Sequence, residues 1–262
     1  MIDYSEKMEK SIALIREYAL LADKYGGYTV AFSGGKDSQV LLDLFKKSGV
    51  KYKAVYNVTT NDPPENVYFI RNNYPEVEFL HPKKTFFQLI ESKKMLPTMK
   101  KRFCCDKLKE YSGKGFVAVG VRREESTKRA LYDNISFSSG KNRKFDEKRM
   151  RKNRKVFVCP ILEWTEVEIW QYIEQNNIPV NPCYDHSGRV GCLFCPYAST
   201  RALLYYARNY PRYYKLLLRS IGRIMEKGYM QEFQPLTPQQ VFEWWISKQN
   251  AKMYFSQLKL DL

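Results

Sequence analysis

Ser33-Gly34-Gly35-Lys36-Asp37-Ser38 lies between the apolar run Tyr28-Thr29-Val30-Ala31-Phe32 and the amphipathic run Gln39-Val40-Leu41-Leu42-Asp43-Leu44-Phe45. A β-branched and aromatic run, two glycines and then leucines at helical spacing predict a strand, a tight loop and a helix. Such a loop suits an anion. Glycines let the backbone approach a phosphate, the first helical N–H groups lack internal partners, and the helix dipole favours negative charge there. Lys36 adds a mobile positive charge, and Ser33 and Ser38 offer hydroxyl donors. The phosphate-binding pattern G-x-x-x-x-G-K-[ST] rests on the same physics but fails twice, because position 30 is Val30 and Asp37 stands where a hydroxyl is required. What remains is a glycine-rich strand-to-helix loop with one lysine and two hydroxyls, suited to a phosphate or sulfate group. The bland alternative is a glycine-containing turn with a solvated lysine.

The chain has 262 residues, enough for one large α/β domain or a domain with a helical appendix. No run approaches the ~18 apolar residues that a membrane span needs, and Met1-Ile2-Asp3-Tyr4-Ser5-Glu6 is too polar for a signal peptide. A cytoplasmic setting is expected, where six cysteines read as reduced thiols or metal ligands. The net charge of +16 calls for a partner with many negative charges, nucleic acid first, or else describes only a basic surface.

Outward from the loop, strands and helices alternate. Leu14, Ile15, Tyr18, Leu21, Ala22 and Tyr25 predict a leading helix over residues 5–25, closed by Gly26-Gly27. Tyr52 to Val58 reads as a second strand, running into Thr59-Thr60-Asn61-Asp62-Pro63-Pro64-Glu65. Pro64 suits the start of a helix reaching about Tyr74. A third strand over Val77 to Leu80, a helix from Phe86 to Ser92 and a fourth strand over Gly115 to Val119 follow. These repeats predict a mostly parallel sheet with ligands at the carboxyl ends of its strands. The polar clusters after strands one, two and four fall there, the last being Gly120-Val121-Arg122-Arg123-Glu124-Glu125-Ser126. Its two arginines can grip phosphate or sulfate through paired donors, or form surface salt bridges.

Nine of the fifteen residues from Lys141 to Lys155 are basic. Such a run resists packing and suits backbone phosphates, or is simply a solvated loop. A fifth strand over Val156 to Pro160 and a helix from about Thr165 come next, then a turn-rich loop from Asn181 to Pro196. From Thr200 the chain is helical and aromatic, broken at Pro211. The expected domains are therefore residues 1–199, which bind nucleotide, and a helical extension over 200–262.

Cys192-x-x-Cys195 can direct two thiolates at one metal, and Cys104-Cys105 supplies a second pair. Four thiolates suffice for a structural zinc or a 4Fe-4S cluster. Side chains of adjacent cysteines diverge, which is awkward for zinc and tilts the reading towards a cluster. Cys183 offers an alternative ligand, whereas Cys159, in a strand, reads as a small buried hydrophobe.

Taken together, SGGKDS at 33–38, TTNDPPE at 59–65, the pair Cys104-Cys105, GVRREES at 120–126, Trp164-Thr165, NPCYD at 181–185 and GCLFCP at 191–196 resemble the phosphoadenosine phosphosulfate (PAPS) reductase family of the PP-loop superfamily. The resemblance runs from about Tyr28 to Pro196. It implies an α/β fold with a five-stranded nucleotide-binding sheet, and adenine nucleotide (ATP or PAPS/adenylyl sulfate) on Ser33, Gly34, Gly35, Lys36, Asp37 and Ser38, with Thr59 and Arg123 beside it. In members with both cysteine pairs it implies a 4Fe-4S cluster, here on Cys104, Cys105, Cys192 and Cys195. Members of the family that reduce sulfate attack the sulfate sulfur with a cysteine on a C-terminal tail, and this sequence has none after Cys195.

The expected activity is therefore that of an ATP-using, iron-sulfur-dependent sulfurtransferase acting on nucleic acid. Lys36, Asp37 and Arg122 are the catalytic candidates, magnesium a companion of the nucleotide, and the Lys141–Lys155 segment the presenter of the acceptor. One alternative is a PAPS or adenylyl-sulfate reductase working through another thiol such as Cys183, or one on a thioredoxin-like partner. The other is a noncatalytic module that binds nucleotide or nucleic acid.

Overall fold

The computed structural model describes residues 3–109, 113–137, 145–150, 154–230, 233, 236–250 and 254. Two compact units are formed, each from several stretches of chain. The first takes Met1–Asn57, Pro64–His81 and Glu110–Val190, and the second Val58–Pro63, Pro82–Lys109 and Gly191–Leu262. Much of the basic run lies outside the described residues, namely 141–144 and 151–153. No helix among the described residues is long and apolar enough to cross a membrane.

The first unit opens with α1 (Ser5–Glu17) and α2 (Ala19–Lys24) where the spacing predicts one helix. Tyr18 stands at the junction, and near it the Tyr28 hydroxyl donates to the Ile15 carbonyl (3.1 Å). The chain then runs through β1 (Tyr28–Ala31), α3 (Lys36–Ser48), β2 (Tyr52–Asn57), α4 (Pro64–Asn73) and β3 (Glu78–Leu80). After α5 (Phe86–Lys93), which belongs to the second unit, come β4 (Gly115–Ala118), the short α6 (Thr127–Ala130), β5 (Ile135–Phe137), β6 (Lys155–Val158), α7 (Glu166–Gln175) and α8 (Cys183–Ser187). The stretch that reads as a turn-rich loop after Asn181 thus contains a helical turn and a half.

The strands make one sheet of six, in the order β3-β2-β1-β4-β6-β5, rather than the five expected. The five expected strands pair in parallel, and the sixth, β5, runs antiparallel on the edge with Phe137 opposite Val156. Its three residues beside the basic run are too few for a period-two signal, and the partner strand supplies the order that the sequence lacks. β1 is central, with β2 on one side and β4 on the other. The strand order reverses there, opening a crevice at the carboxyl ends of β1 and β4 where α/β sheets hold ligands.

Around this sheet α3 buries Val40, Leu41, Leu44 and Phe45, and ends at Gly49, whose φ of +70° closes the helix with little steric cost. Trp164 is almost fully buried against Tyr4 and Tyr172, and its indole N–H donates to the Ser11 hydroxyl (3.0 Å), which itself donates to the Pro160 carbonyl. Trp164→Ala is expected to cost about 3–5 kcal/mol, read as a lower urea midpoint at unchanged slope.

Thr165 and Glu168 form a reciprocal capping box at the start of α7, and Glu168 also pairs with Lys7 (2.8 Å). Burial raises the Glu168 carboxyl, but the Lys7 ammonium and the Thr165 N–H and hydroxyl outweigh it and hold the group below the usual carboxylate range. The stabilisation is therefore present at neutral pH and lost as pH falls through the lowered folded value. Glu168→Gln is expected to be less stable than the parent at pH 7, with the gap closing in acid; a gap that persists below the carboxylate range in denaturation curves contradicts this.

In the second unit, α5, α9 (Thr200–Asn209), α10 (Pro211–Glu226) and α11 (Pro238–Ser247) enclose an apolar core that includes Phe86, Leu193, Phe194, Leu217, Ile221 and Phe242. Thr85 with Gln88 and Thr237 with Gln240 make capping boxes, and Pro211 and Pro238 begin their helices, so each start is written locally. The helical stretch after Thr200 shares this core with residues 82–109.

Candidate functional site

In the first unit the loop after β1 folds on its own hydroxyls. Ser38 donates to the Gly35 carbonyl (2.8 Å), accepts from the Ser33 N–H (3.2 Å) and lies 3.1 Å from the Ser33 hydroxyl. Gly34 has φ +78°, and a Cβ there would stand 2.4 Å from Asn66 Oδ1, so conformation and space both require glycine. Gly120, just past β4, lets the crossing chain come within 3.0 Å of the Asp37 backbone, measured from an ideal Cβ.

Two asparagines hold this loop from outside. Buried Asn181 donates to the Gly34 carbonyl (2.9 Å) and to Asn66 Oδ1 (2.7 Å), while Asn66 donates to the Ser33 carbonyl (3.2 Å). The N–H groups of Ser33 and Gly35 are held by the Ser38 and Ser33 hydroxyls. The Lys36 N–H donates to the Tyr184 hydroxyl (2.8 Å), and Tyr184 meets Trp170 edge-on at 5.1 Å. Burial pushes the Tyr184 phenol up to about 12, so it stays protonated at neutral pH.

Lys36, Asp37 and Arg122 come together. The Lys36 ammonium is 3.1 Å from Asp37 and 3.5 Å from Glu166. Arg122, with its side chain 4% exposed, meets Asp37 through Nε (2.6 Å) and Glu124 through Nη1 (3.1 Å), and its backbone N–H donates to Glu125. A buried guanidinium needs such partners, since an unpaired charge there is costly. Arg123 turns elsewhere, with its guanidinium on Glu163 and the Ala130 carbonyl.

Thr59 belongs to the second unit. Its N–H and hydroxyl both donate to Asp62 (2.7 Å each), and its hydroxyl accepts from the Cys192 thiol (3.5 Å). The Leu193 N–H donates to the Asn61 carbonyl (2.8 Å), which anchors the start of the C-x-x-C turn. Cys104 stands just before a π-helical turn over Cys105–Lys109. All four paired cysteines are therefore in one unit, whereas Cys183 and Cys159 are buried in the other.

A hydrogen bond to Cys105, burial and the charges of Cys105 and Cys192 hold the Cys104 thiol well above its ordinary range. Burial likewise raises Cys192, against the opposing pull of Lys109, whose ammonium is raised in turn by Cys192, Asp62, Cys105 and Cys195. Among the described residues no three His, Cys, Asp or Glu side chains are grouped as a metal requires. Four thiols in one unit are the donor type that an iron-sulfur cluster or zinc takes, and each must lose its proton to bind.

The sequence profile of the phosphoadenosine phosphosulfate reductase domain matches residues 27–198. The chain belongs to that family. Among similar proteins, an uncharacterized protein of Methanocaldococcus jannaschii is 27% identical over 223 residues, which cover 80% of this chain and 51% of the relative. The chain thus spans about half the length of that relative. An adenosine 5'-phosphosulfate reductase of Lysinibacillus sphaericus is 26% identical over 186 residues, covering 66% of this chain and 75% of that one. A sulfate adenylyltransferase subunit 2 of Stutzerimonas stutzeri is 30% identical over 202 residues, covering 67% and 64%.

Asn66, Asn181, Tyr184 and Glu166 are the residues that sequence reasoning did not single out at this PAPS reductase-family loop. NPCYD contains two of them, but nothing local says that Asn181 reaches Gly34. Gly34→Ala and Asn181→Ala are each expected to cost about 1–3 kcal/mol, the first through strain and overlap and the second by orphaning buried carbonyls. Both are expected to speed amide exchange at Lys36 to Gln39. Unchanged exchange in either variant contradicts the clamp.

Proposed function

We propose that this chain binds ATP with magnesium on Ser33, Gly34, Gly35, Lys36, Asp37 and Ser38, adenylates an acceptor and supports its sulfuration, the acceptor being nucleic acid. The observation that carries the reading is the charge set at the loop. Two cations, Lys36 and Arg122, share three carboxylates, Asp37, Glu124 and Glu166. That balance is poor for a bare polyanion and good for one that arrives with a divalent cation. Hard oxygen donors of this kind suit magnesium, which is bound by one or two carboxylates together with nucleotide phosphates. The relative named sulfate adenylyltransferase subunit 2 supports an adenylyl-transfer reading.

In the reaction an acceptor oxygen attacks the α-phosphorus, the α–β bridging bond breaks and pyrophosphate leaves. Backbone N–H groups of the loop and the Lys36 ammonium face the charge that gathers on the leaving phosphates. Arg122, fixed by Asp37 and Glu124, holds its remaining donors for the phosphates, and Arg123 braces the β4 loop through Glu163. Sulfur at the sulfide level then attacks the activated carbon, and AMP leaves with the former acceptor oxygen. A 4Fe-4S cluster, or zinc as the alternative metal, would be held by Cys104, Cys105, Cys192 and Cys195, and would supply a thiophilic centre at the sulfur-handling end of the chemistry. Thr59 serves that thiol set through Cys192.

The second reading, reduction of an adenylyl sulfate, is favoured by the relative named adenosine 5'-phosphosulfate reductase. It needs a nucleophilic thiol. Cys183 is poorly suited, because burial and the Glu65 carboxylate push it up to about 11. A thiol from a thioredoxin-like partner is the remaining route.

Labelled ATP incubated with anaerobically purified protein and RNA or DNA is expected to release pyrophosphate, and Lys36→Met to slow it by about 10²–10³-fold. No release with any nucleic acid, alongside sulfite release from adenylyl sulfate and thioredoxin, transfers the chain to the second reading. Nucleotide binding with neither turnover points to a noncatalytic module.

A further inference from the structure

The two units divide the positive charge unevenly. The second holds 19 lysines and arginines against 7 aspartates and glutamates, the first 25 against 21, so +12 of the net +16 belongs to the second although the basic run 141–155 lies in the first. On the first unit, surface cations are matched: Lys10 with Glu6, Lys46 with Glu76, Lys47 with Asp43 and Lys53 with Glu78. In the second unit, α9 and α10 are built otherwise. Residues 200–225 contain six cations, Arg201, Arg208, Arg212, Lys215, Arg219 and Arg223, and no carboxylate. All six are exposed. Arg223 pairs with Glu91 (3.0 Å), and among the described residues none of the other five has a carboxylate partner.

On α10 the cations recur at steps of three and four, which puts Arg212, Lys215, Arg219 and Arg223 on one face, about 16 Å long at the helical rise. Like charges at that spacing repel, whereas an ordinary solvated face mixes the two signs. The opposite face is occupied, since Leu217, Ile221 and Ile224 are buried in the core of the unit. With its apolar side used in this way, α10 has none to offer a lipid bilayer. Apart from Glu226 at its end, its exposed positions carry only Pro211, Leu216 and the four cations. No ring stands at an exposed position to stack on a base, and no hydroxyl or amide to read a ribose 2′-hydroxyl. What such a stripe can grip is a regular row of phosphates, mostly through guanidinium donors, as along the backbone of duplex DNA.

We infer that α10 docks on the phosphate backbone of double-stranded DNA through Arg212, Lys215 and Arg219, with Arg201 and Arg208 of α9 adding to the positive field of the unit. The contact reads backbone and not bases. The inference rests on the proposed nucleic-acid acceptor and makes it specific, naming duplex DNA as the partner and the second unit as the part that holds it.

The test is equilibrium binding of a mixed-sequence DNA duplex of about 24 base pairs to the full chain, without ATP, over a series of salt concentrations, where log affinity is expected to fall linearly with log salt. Replacing Arg212, Lys215 and Arg219 with serine is expected to reduce that slope by about three and to weaken binding about 10–100-fold near 0.1 M salt. The charge-matched replacement of Lys24, Lys51 and Lys53 on the first unit is expected to change the slope by less than about one. Arg219→Glu places a carboxylate four residues from both Lys215 and Arg223, and is expected to weaken binding while raising the thermal midpoint, which separates lost contact from lost fold. An unchanged slope in the serine variant overturns the inference, as does an equal loss in the charge-matched one. Tighter binding of an RNA duplex, a single strand or phosphatidylserine vesicles than of the DNA duplex also overturns it. Because no turnover is read, DNA held by α10 without pyrophosphate release would sink the proposed reaction and leave this assignment standing.

Discussion

The nucleotide loop depends on a pair of amide side chains. Asn181 and Asn66 bond to each other and to the successive carbonyls of Gly34 and Ser33, so segments far apart in sequence fix one turn. The closeness of Asn66 excludes a side chain at position 34, and the left-handed φ there needs none. At the start of α3 the Lys36 N–H is taken by the Tyr184 hydroxyl. The sheet order provides the crevice beside β4, and the asparagines give the loop its shape within it.

Electrostatics divide the molecule's chemistry between its two units. In the first, carboxylates and cations form a chain of ion pairs from Glu166 through Lys36, Asp37 and Arg122 to Glu124. In the second, raised thiols and the Lys109 ammonium surround a thiol set that reaches Thr59 and Asp62. The polar cluster after β2 is therefore divided: Thr59 bonds to Asp62 and to the Cys192 thiol, while Asn66, one residue past its end, supports the loop after β1.

Most of the fold is legible in local sequence. Glycine pairs, capping boxes and prolines at helix starts act within a few residues, so β1 to α3, α5 and α7 fall where their patterns put them. The exceptions were decided at long range. The first helix is divided at Tyr18, near which Tyr28 bonds to the Ile15 carbonyl, and β5 pairs with β6 on the sheet edge. Of the proposed site residues, Lys36, Asp37 and Arg122 meet in space. Arg123 is drawn to Glu163 instead, and Thr59 to Asp62 and Cys192.

By itself the sequence determined the family, the parallel α/β order and the chemical types present: a glycine-rich anion loop, paired thiols and an excess of basic charge. These are written in contiguous motifs, and local backbone preference is enough to express them. Tertiary structure alone decided which carboxylate each arginine meets, which asparagines grip the loop, and that all four paired cysteines share a unit from which Cys183 is absent. It also left the Trp244 N–H buried without an acceptor among the described residues. Such pairings join residues tens to more than a hundred positions apart, and only the packed chain brings their short-range forces into play.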